Sequence, residues 1–237
     1  MEETDRSGAT RRFPFGTFSS VVIFDLETTG LDSRSDTIIE FGGIKVTEQG
    51  GSAQKTDEAD LLISLPSGKQ LSDPIIRLTG ITPAMLRESG TDPRLAAETV
   101  SGLLSGPDTL LAAYNAQFDL CFLYYFLRQH RLEGCLRGVK MLDVMTVYKD
   151  RRPYPHKLRD AIESYRIQGQ NTHRALDDAK ATWALLCAMQ AEADDLDRYV
   201  NLFGYHPGYG ISGPRISSVT YRPQALCPGK KLYDSKP

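Results

Sequence analysis

The sequence predicts an α/β domain in which a mixed sheet is flanked by helices. Short apolar runs rich in β-branched residues occur in the first half of the chain, and such runs are typical of buried strands. Three of them follow one another before the first helical pattern, and the later ones alternate with helical patterns. This order indicates an antiparallel meander that continues as strand–helix units, with the helices covering the sheet.

The strands can be predicted one by one. The run FSSVVIFDL at 18–26 predicts the central strand, because an apolar run without breakers suits a strand buried on both faces. The segments at 37–46 and 60–66 predict the second and third strands, and 109–114 predicts the fourth. The segment 139–148 predicts a fifth strand or a strand-to-helix junction.

Three helix starts are marked by an Asp or Thr followed by Pro. Proline suits the first helical turn, and the preceding side chain can cap it. These pairs predict helices from Asp73-Pro74 through Leu78, from Thr82-Pro83 through Leu86, and from Asp92-Pro93 to about Leu104. Apolar residues at helical spacing predict further helices at 117–130, 157–165 and 173–190.

Length and composition indicate one sizeable folded domain with tails. The chain has 237 residues, of which 41% are hydrophobic and 24% are charged. We predict a polar N-terminal tail at 1–17, a domain at 18–192 and a Gly/Pro-rich extension at 193–237. Regular helix is not expected from Gly204 onward, because glycine and proline recur there. An ordered loop and a flexible tail both fit, and anchoring by Tyr205, Tyr209 and Tyr221 slightly favours order.

The charge and cysteine content restrict partners and compartment. The net charge of −2 gives no global attraction to nucleic acid or membrane, so any site for a polyanion must be local. Four widely separated cysteines, Cys121, Cys135, Cys187 and Cys227, indicate neither a zinc site nor a disulfide framework. The N-terminus is polar, and no apolar run is long enough to cross a bilayer. We therefore expect a cytoplasmic protein with no membrane partner.

A pair of carboxylates lies at the end of the central strand. Asp25 and Glu27 are two residues apart, so strand alternation sends both side chains to one face. Two anions on a buried strand repel each other and lose hydration unless a cation compensates. Oxygen ligands favour Mg²⁺ or Mn²⁺. The alternative is a strand end at which both groups are simply solvated.

Two more acids and a histidine occur at helix starts. Asp119 heads an apolar helical row, which places it on an inward face, although a first-turn acid is also favoured by the helix dipole alone. Asp178 is the better inward candidate than its neighbour Asp177. His173 lies five positions earlier, so we expect it on the loop that enters the helix, with Asn171 and Thr172 available as caps. A lone histidine at the surface is the alternative.

The segments FDLETTG, NAQFD and HRALDD, in this order, resemble the three motifs of the DEDDh, or DnaQ-like, family of 3′-5′ exonucleases. This family includes the proofreading exonucleases of bacterial DNA polymerase III. The resemblance spans about residues 19–189. It implies a ribonuclease H-like fold, in which three antiparallel strands are followed by parallel ones and helices surround the sheet.

The resemblance also implies roles for individual residues. The catalytic residues would be Asp25, Glu27, Asp119, Asp178 and His173. The four acids would hold two Mg²⁺ or Mn²⁺ ions, and His173 would act as general base. The products would be 5′-mononucleotides.

Residues that contact the substrate are predicted next to these motifs. By the same resemblance, Thr28 would bind the terminal 3′-OH. Phe118, with Asn115 beside it, would stack on a base. The segment LTGITPAML at 78–86 resembles the part that holds the 3′-terminal nucleotide, which makes Thr79 and Ile81 candidates. Leu71 is a further, weaker candidate, and apolar core packing explains Leu71 and Ile81 equally well.

A local basic segment is present at 149–159, where KDRRPYPHKLR carries five Lys or Arg and a single Asp. A strand channel beside an acidic site needs positive charge, so Arg151 and Arg152 are candidates for receiving the substrate backbone. A solvated charged loop is the alternative. His156 is expected at the surface of this segment.

The leading functional prediction is a metal-dependent 3′-5′ exonuclease on single-stranded or frayed DNA ends, with a proofreading or repair role. A DNA polymerase subunit is a candidate partner. One alternative is an exoribonuclease that trims RNA ends, because the sequence does not reveal how a 2′-OH is treated. An alternative of another class is a non-catalytic module that binds nucleic acid or docks on a polymerase.

Overall fold

A computed structural model describes residues 13–168, 173–226 and 229–235. The strands are β1 Ser20–Thr28, β2 Ile38–Gln49, β3 Ser52–Leu62, β4 Thr109–Ala113, β5 Lys140–Asp143, β6 Leu202–Tyr205 and β7 Thr220–Pro223. The α-helices are α1 Asp73–Thr79, α2 Pro83–Ser89, α3 Pro93–Leu104, α4 Ala116–Gln129, α5 Val144–Arg151, α6 Leu158–Ser164 and α7 Ala175–Glu192. Short 3₁₀ helices occupy Glu133–Leu136, Leu196–Tyr199 and Leu232–Asp234.

The main sheet has five strands in the order β3-β2-β1-β4-β5. β1 pairs antiparallel with β2 and parallel with β4, and β4 pairs parallel with β5. This is the mixed α/β sheet, three antiparallel strands followed by parallel ones, that the sequence predicts. β1 is central because its apolar residues are buried on both faces, so it has no surface to offer to solvent.

Side chains that alternate along β1 belong to two different core layers. Val21 and Ile23 pack in the layer that contains α5, α6 and α7. Val22 and Phe24 pack in the opposite layer, which contains α3 and α4. The C-terminal ends of the parallel strands therefore open between two helical layers, and α4 and α7 approach this edge from opposite sides.

The helix starts in the first half agree with the Asp-Pro and Thr-Pro predictions. The Thr82 hydroxyl accepts from the Met85 N–H at 3.2 Å and caps α2. The Asp92 carboxylate accepts from the Arg94 and Leu95 N–H groups at 2.9 and 3.2 Å and caps α3. α1 follows Ser72, whose side chain makes no capping bond.

The third strand differs from its prediction at 60–66. It begins at Ser52, directly after the Gly50-Gly51 turn, and ends at Leu62. Both glycines have positive φ, 60° and 80°, which a tight hairpin turn requires. Most of β3 is exposed and polar, so pairing with β2, rather than apolar patterning, defines this edge strand.

The C-terminal part is ordered where it is described, and it packs on the edge of the main sheet. The N–H of Asn201 donates to the Met141 carbonyl at 2.7 Å, and the N–H of Met141 donates to Asn201 Oδ1 at 2.9 Å. β6 and β7 then pair in parallel. Of the three expected tyrosine anchors, Tyr221 is half-buried and hydrogen-bonded, whereas Tyr209 is 89% exposed and anchors nothing by burial. Within the described ranges, no helix combines the length and apolar character needed to traverse a bilayer.

Candidate active site

Asp25 and Glu27 lie near the end of β1 and face the α7 layer. Glu27 is opposite Glu40 in the antiparallel register with β2, and Asp25 is opposite Gly42. Glu27 is buried, and Asp25 is half-buried. The two carboxylates therefore share one face of the sheet at the edge where α4 and α7 begin.

Gly42 makes room for α7 against this face. A Cβ atom at this position would lie 2.0 Å from the Leu176 nitrogen and 2.2 Å from the Ala175 carbonyl carbon. Any other residue would push the start of the helix away from β2. The glycine therefore lets the first turn of α7 reach the carboxylates of β1.

The first turns of α4 and α7 supply two further acids. Asp119 and Asp178 are both 3% exposed, whereas Asp177 is exposed, as the helical spacing predicts. Together with β1 these residues form what we call the acidic cluster: Asp25, Glu27, Asp119 and Asp178.

His173 precedes α7, as predicted, and has a left-handed backbone with φ of 54°. One nitrogen of its ring and one carboxylate oxygen from each of Glu27 and Asp178 lie within 4.8 Å of one another. The predicted caps Asn171 and Thr172 lie outside the described residues. The imidazole thus meets the acidic cluster from the α7 side.

The carboxyl groups of the acidic cluster repel one another. Burial raises the pKa of Asp25 well above its ordinary value, and the charges of Asp119 and Asp178 raise it further. Burial, followed by the charges of Glu40 and Asp178, raises the pKa of Glu27 to about 8. Burial is also the main cause that raises the pKa of Asp119. Oxygen donors that lack a compensating positive charge fit a divalent cation.

Glu40 is a site residue that the sequence analysis missed. Its side chain is fully buried in β2, and Oε1 accepts from Nε and Nη2 of Arg174 at 2.8 and 2.7 Å. Oε2 accepts from the Ala175 N–H at 3.0 Å, which satisfies the first turn of α7. Glu40 therefore fixes the chain directly after His173. Glu40 lies on the same face of the sheet as Glu27, its neighbour across the strand pair. This proximity could be recognised only once the register of β1 and β2 was known.

Asp143 and Gln117 were also missed, and both hold the start of α4. Asp143, at the end of β5, accepts from the N–H groups of Asn115 and Ala116 at 3.0 and 3.2 Å. The same oxygen accepts from the Met145 N–H at 3.2 Å, so one carboxylate caps two helices. An Asp directly after a strand and before a helix is a recognisable capping signal.

Gln117 joins α4 to the C-terminal part. Its Nε2 donates to the carbonyls of Ser212 and Pro214, each at 2.8 Å. The Tyr221 hydroxyl donates to Gln117 Oε1 at 2.5 Å and accepts from the Ile216 N–H at 2.9 Å. The turn that carries Asp119 is therefore held by residues far along the chain, which no local pattern reveals.

Three predicted substrate residues lie beside the acidic cluster. Thr28 is buried, and its hydroxyl donates to the Gly30 carbonyl at 2.6 Å. Asn115 is exposed with a left-handed backbone, and Phe118 is half-buried with its ring 4.8 Å from that of Phe122. The exposed part of Phe118 leaves an aromatic surface near Asp119.

Thr79 and Ile81 are buried away from solvent. Ile81 is 0% exposed and packs with Ile39, Leu71 and Leu86. The Thr79 hydroxyl donates to the Ile75 carbonyl and accepts from the Ile81 N–H, both at 3.0 Å. Ile81 therefore belongs to the core, in accord with the packing alternative, and the Thr79 hydroxyl is satisfied within its own segment.

The expected role of Arg151 and Arg152 in strand binding is not supported. Arg151 is buried and pairs with Asp195 and Glu192, and it donates to the Met189 carbonyl at 2.5 Å. Arg152 pairs with Glu192 at 2.8 Å and stacks on Tyr165. His156 is 7% exposed rather than on the surface. Both arginines satisfy acids of the fold, so their charge is not available to a nucleic-acid strand.

Comparison with known proteins gives a family match. Residues 22–186 match the model of the RNase_T family, which is described as an exonuclease. The chain is 33% identical to the PolC-type DNA polymerase III of Thermotoga maritima over 165 residues, which are 69% of this chain and 11% of that protein. It is 34% identical to that of Bacillus subtilis over 176 residues, which are 73% of this chain and 11% of that protein. The chain thus spans only a small part of the length of these relatives.

Solved structures of Escherichia coli exonuclease I share the fold. A zinc-bound complex of that protein with single-stranded DNA superposes with a TM-score of 0.68 at 20% identity, covering 77% of this chain and 42% of that one. A complex with a dT13 oligonucleotide gives a TM-score of 0.64 at 19% identity, covering 75% and 42%. At this identity the likeness concerns the fold, which is ribonuclease H-like.

Proposed function

The chain belongs to the RNase_T exonuclease family, and from this premise we propose that it is a metal-dependent 3′-5′ exonuclease. Its substrates would be single-stranded or frayed DNA 3′ ends, and its products 5′-mononucleotides. The observation that carries the proposal is the meeting of four carboxyl groups and one imidazole at the edge of the sheet where α4 and α7 begin. A phosphodiester is negatively charged, so it can approach this cluster only when cations compensate the acids.

The acidic cluster would hold two Mg²⁺ or Mn²⁺ ions. Its members offer oxygen donors, which these ions prefer, and burial and mutual repulsion, which raise the pKa values of Asp25 and Glu27, would be relieved by a cation. When bound, the ions supply positive charge for the phosphate oxygens and lower the pKa of water. The protein holds the carboxylates in place beforehand, on one strand and two helix starts.

His173 would take the proton from the attacking water. An imidazole exchanges a proton near neutral pH, and the ring lies beside Glu27 and Asp178 without being part of a regular helix. Thr28 would orient the terminal 3′-OH through its backbone or hydroxyl, and the exposed part of Phe118 would stack on a base. Asn115, which is exposed next to Phe118, would contact the terminal nucleotide.

We favour DNA as the substrate on the basis of the proteins to which the chain is similar. The relatives are PolC-type DNA polymerases III, and the exonuclease I structures hold single-stranded DNA. A proofreading or repair role and a polymerase partner follow the same reasoning. An exoribonuclease is the second candidate, because the sequence does not reveal how a 2′-OH is treated. Parallel digestion of DNA and RNA oligomers of one sequence, with either end blocked, separates the two by rate.

The activity itself is tested with matched acid variants. Asp25→Asn and Asp178→Asn should each lower the degradation of a 5′-labelled DNA strand in Mg²⁺ at least about a hundredfold, since both remove a proposed ligand. Asp177→Asn removes the same charge one residue earlier, from an exposed position, and should leave most of the rate. Chelator should stop the wild-type protein.

A separate variant addresses the imidazole. His173→Ala should lower the rate more than it lowers Mg²⁺ affinity, because the ring is assigned proton transfer. Undiminished turnover by Asp25→Asn, or activity that persists in chelator, would overturn the proposed function. An equal loss of metal binding in His173→Ala would overturn only the role of the imidazole.

A further inference from the structure

A groove of about 760 Å³ runs along α4 on the side away from α7. Its walls are α4, the segment 131–139 that follows it, and the segment 214–218 from the C-terminal part. Leu120, Leu136 and Met141 give it an apolar lining. Its volume is in the range of sites that hold ligands. The segment 214–218 lies outside residues 22–186, so the family match does not account for this wall of the groove.

The groove is positively charged although the whole chain is slightly acidic. Arg131, Arg137 and Arg215 line it and are exposed. Among the described residues that line the groove, Glu133 alone is acidic. None of the three guanidinium groups has an ion-pair partner within the described ranges, whereas Arg151 pairs with acids of the fold. The groove arginines are therefore available to an anionic ligand.

Two aromatic side chains stand beside this charge. Tyr124 is 40% exposed and Tyr125 is half-buried, and their ring centroids are 5.3 Å apart. The guanidinium of Arg128 lies 5.9 Å from the Tyr124 ring centroid. Aromatic and cationic groups in one groove suit the bases and phosphates of a single strand. An acidic peptide would use the charge but leave the tyrosine faces without a repeated partner.

The groove adjoins the acidic cluster through α4 and the loop after β1. Cys121, which lines the groove, lies in the same turn of α4 as Asp119 but on a different face, so this turn separates the groove from the cluster. The Pro214 carbonyl, also at the groove, accepts from Gln117 at 2.8 Å, within the turn that carries Asp119. Nε of Arg34, on the loop after β1, donates to the Tyr125 hydroxyl at 3.3 Å. A strand whose 3′ end lies at the cluster would cross the first turns of α4 to enter this groove.

We propose that this groove binds the single-stranded nucleic acid that lies 5′ of the nucleotide in the acidic cluster. The inference rests on the proposed exonuclease function and adds to it a separate binding site for the body of the strand. Phosphates contact Arg131, Arg137 and Arg215, and bases contact Tyr124 and Tyr125. Because the contacts are to phosphates and aromatic faces, binding depends on length and salt rather than on base sequence.

The test compares two triple variants of equal charge. The groove variant carries Arg131→Gln, Arg137→Gln and Arg215→Gln. The control carries Lys55→Gln, Arg94→Gln and Arg166→Gln, which lie on β3, at the start of α3 and after α6, and do not line the groove. Thermal unfolding identifies any variant that has not folded. Arg215 also lies over the Tyr221 ring, 5.2 Å from its centroid. A double variant, Arg131→Gln with Arg137→Gln, therefore leaves this contact in place.

Two measurements use oligothymidylates of 3 and 20 nucleotides. The first is the KM for degradation in Mg²⁺, and the second is the Kd of labelled 20-mer for proteins that also carry Asp25→Asn. The groove variant should raise the KM and Kd of the 20-mer about tenfold or more, with a much smaller effect on the trimer. The slope of log K against log salt should fall by about 2 for the triple and by about 1.4 for the double variant. The control should match the wild-type protein.

Two results would overturn the groove assignment. One is an unchanged Kd and salt slope of the 20-mer in the folded groove variant. The other is a wild-type protein that prefers the 20-mer no more than the trimer. In that case the positive charge of the groove would be assigned to binding an acidic protein partner. Absence of degradation by the wild-type protein would instead contradict the proposed function, and the Kd comparison would still decide the groove.

Discussion

Glu40 lies opposite Glu27 in the sheet and holds the segment that carries His173. A fully buried carboxylate so close to the acidic cluster adds to its repulsion, since its charge contributes to the raised pKa of Glu27. Arg174 compensates this charge through two hydrogen bonds and lowers the pKa of Glu27 in turn. The pair therefore has two effects: it anchors the start of α7, and it limits the negative potential at the site.

Glu40→Gln should lower both stability and rate. The amide keeps the shape but loses the charge that Arg174 needs, at a cost of about 2 kcal/mol, or roughly 4–8 °C in Tm for a chain of this size. With the start of α7 loosened, kcat for DNA degradation should fall more than KM changes. Glu58→Gln is the matched control, because Glu58 pairs with Lys180 of α7 from the exposed edge strand. Equal effects of the two variants would contradict the role of Glu40.

The raised pKa values of the acidic cluster make the metal-free protein sensitive to alkaline pH. Glu27 has an ordinary pKa of 4.5 and a pKa of about 8 in the folded chain, so the folded state binds more protons between these values. The contribution of Glu27 to stability is therefore fully present below about pH 4.5, and it is lost as the pH rises through 8.

In chelator, Tm should therefore fall as pH rises from 5 to 9. Mg²⁺ should reduce or reverse this fall, because it binds the ionised carboxylates of the folded state only. Glu27→Gln should flatten the metal-free curve, since the titrating group is gone. A metal-free Tm that stays constant or rises over this range in the wild-type protein would be incompatible with a crowded cluster.

The element on which the site depends most is α4, because three separate parts of the chain hold its first turn. Asp143 caps its N-terminus from β5, and Gln117 binds Ser212 and Pro214 of the C-terminal part. Tyr221 completes the network by bonding both Gln117 and Ile216. These contacts fix where Asp119 lies relative to β1.

Tyr221→Phe should loosen this turn. It removes one hydroxyl that is both donor and acceptor, and it leaves Gln117 Oε1 and the Ile216 N–H unpaired, at a cost of about 1–3 kcal/mol. We expect a lower Tm, a severalfold lower kcat and a higher Mg²⁺ concentration for half-maximal rate. Tyr209→Phe is the control, because Tyr209 is 89% exposed. A Tyr221→Phe protein with normal Mg²⁺ dependence would show that the network only stabilises the fold.

At the scale of the whole molecule, the C-terminal part completes the core as well as the site. Leu196, Tyr199 and Phe203 are 0–1% exposed, and Leu232 is 2% exposed. These side chains have partners in both helical layers. The C-terminal part packs first against the layer with α5 and α7, and then against the layer with α3 and α4. Without it, the outer edge of β5 and one side of α4 would be exposed to water.

A chain shortened to residues 1–195 should therefore be poorly stable. Burial of one large apolar side chain contributes about 2 kcal/mol, so losing four of them removes about 8 kcal/mol, which is most of the stability of an ordinary domain. A chain of 1–226 keeps β6 and β7 and should lose far less. Thermal unfolding and solubility of both chains measure this. A 1–195 chain with near wild-type Tm would mean that the C-terminal part contributes little to the stability of the fold.

Local sequence was sufficient for most elements of the main sheet and its helices, and for selecting the five groups that the structure brings together at the edge of that sheet. The apolar run of β1, the Pro-marked starts of α2 and α3 and the inward position of Asp178 all depend on side chains within a few residues, where strand and helix periods apply. The same local patterns failed for β3, whose polar sequence is a strand only because β2 supplies its hydrogen bonds.

Only the tertiary structure decided which charges are available and what holds the site. Arg151 and Arg152 belong to a basic run in the sequence, yet they neutralise acids 40 to 44 positions further along the chain. Arg131, Arg137 and Arg215 are scattered in the sequence and meet in one groove. Ion pairs, the strand register that sets Glu40 opposite Glu27, and the bonds of Gln117 join residues far apart in the chain. Their energies depend on distance in space, which the sequence specifies only through the complete fold.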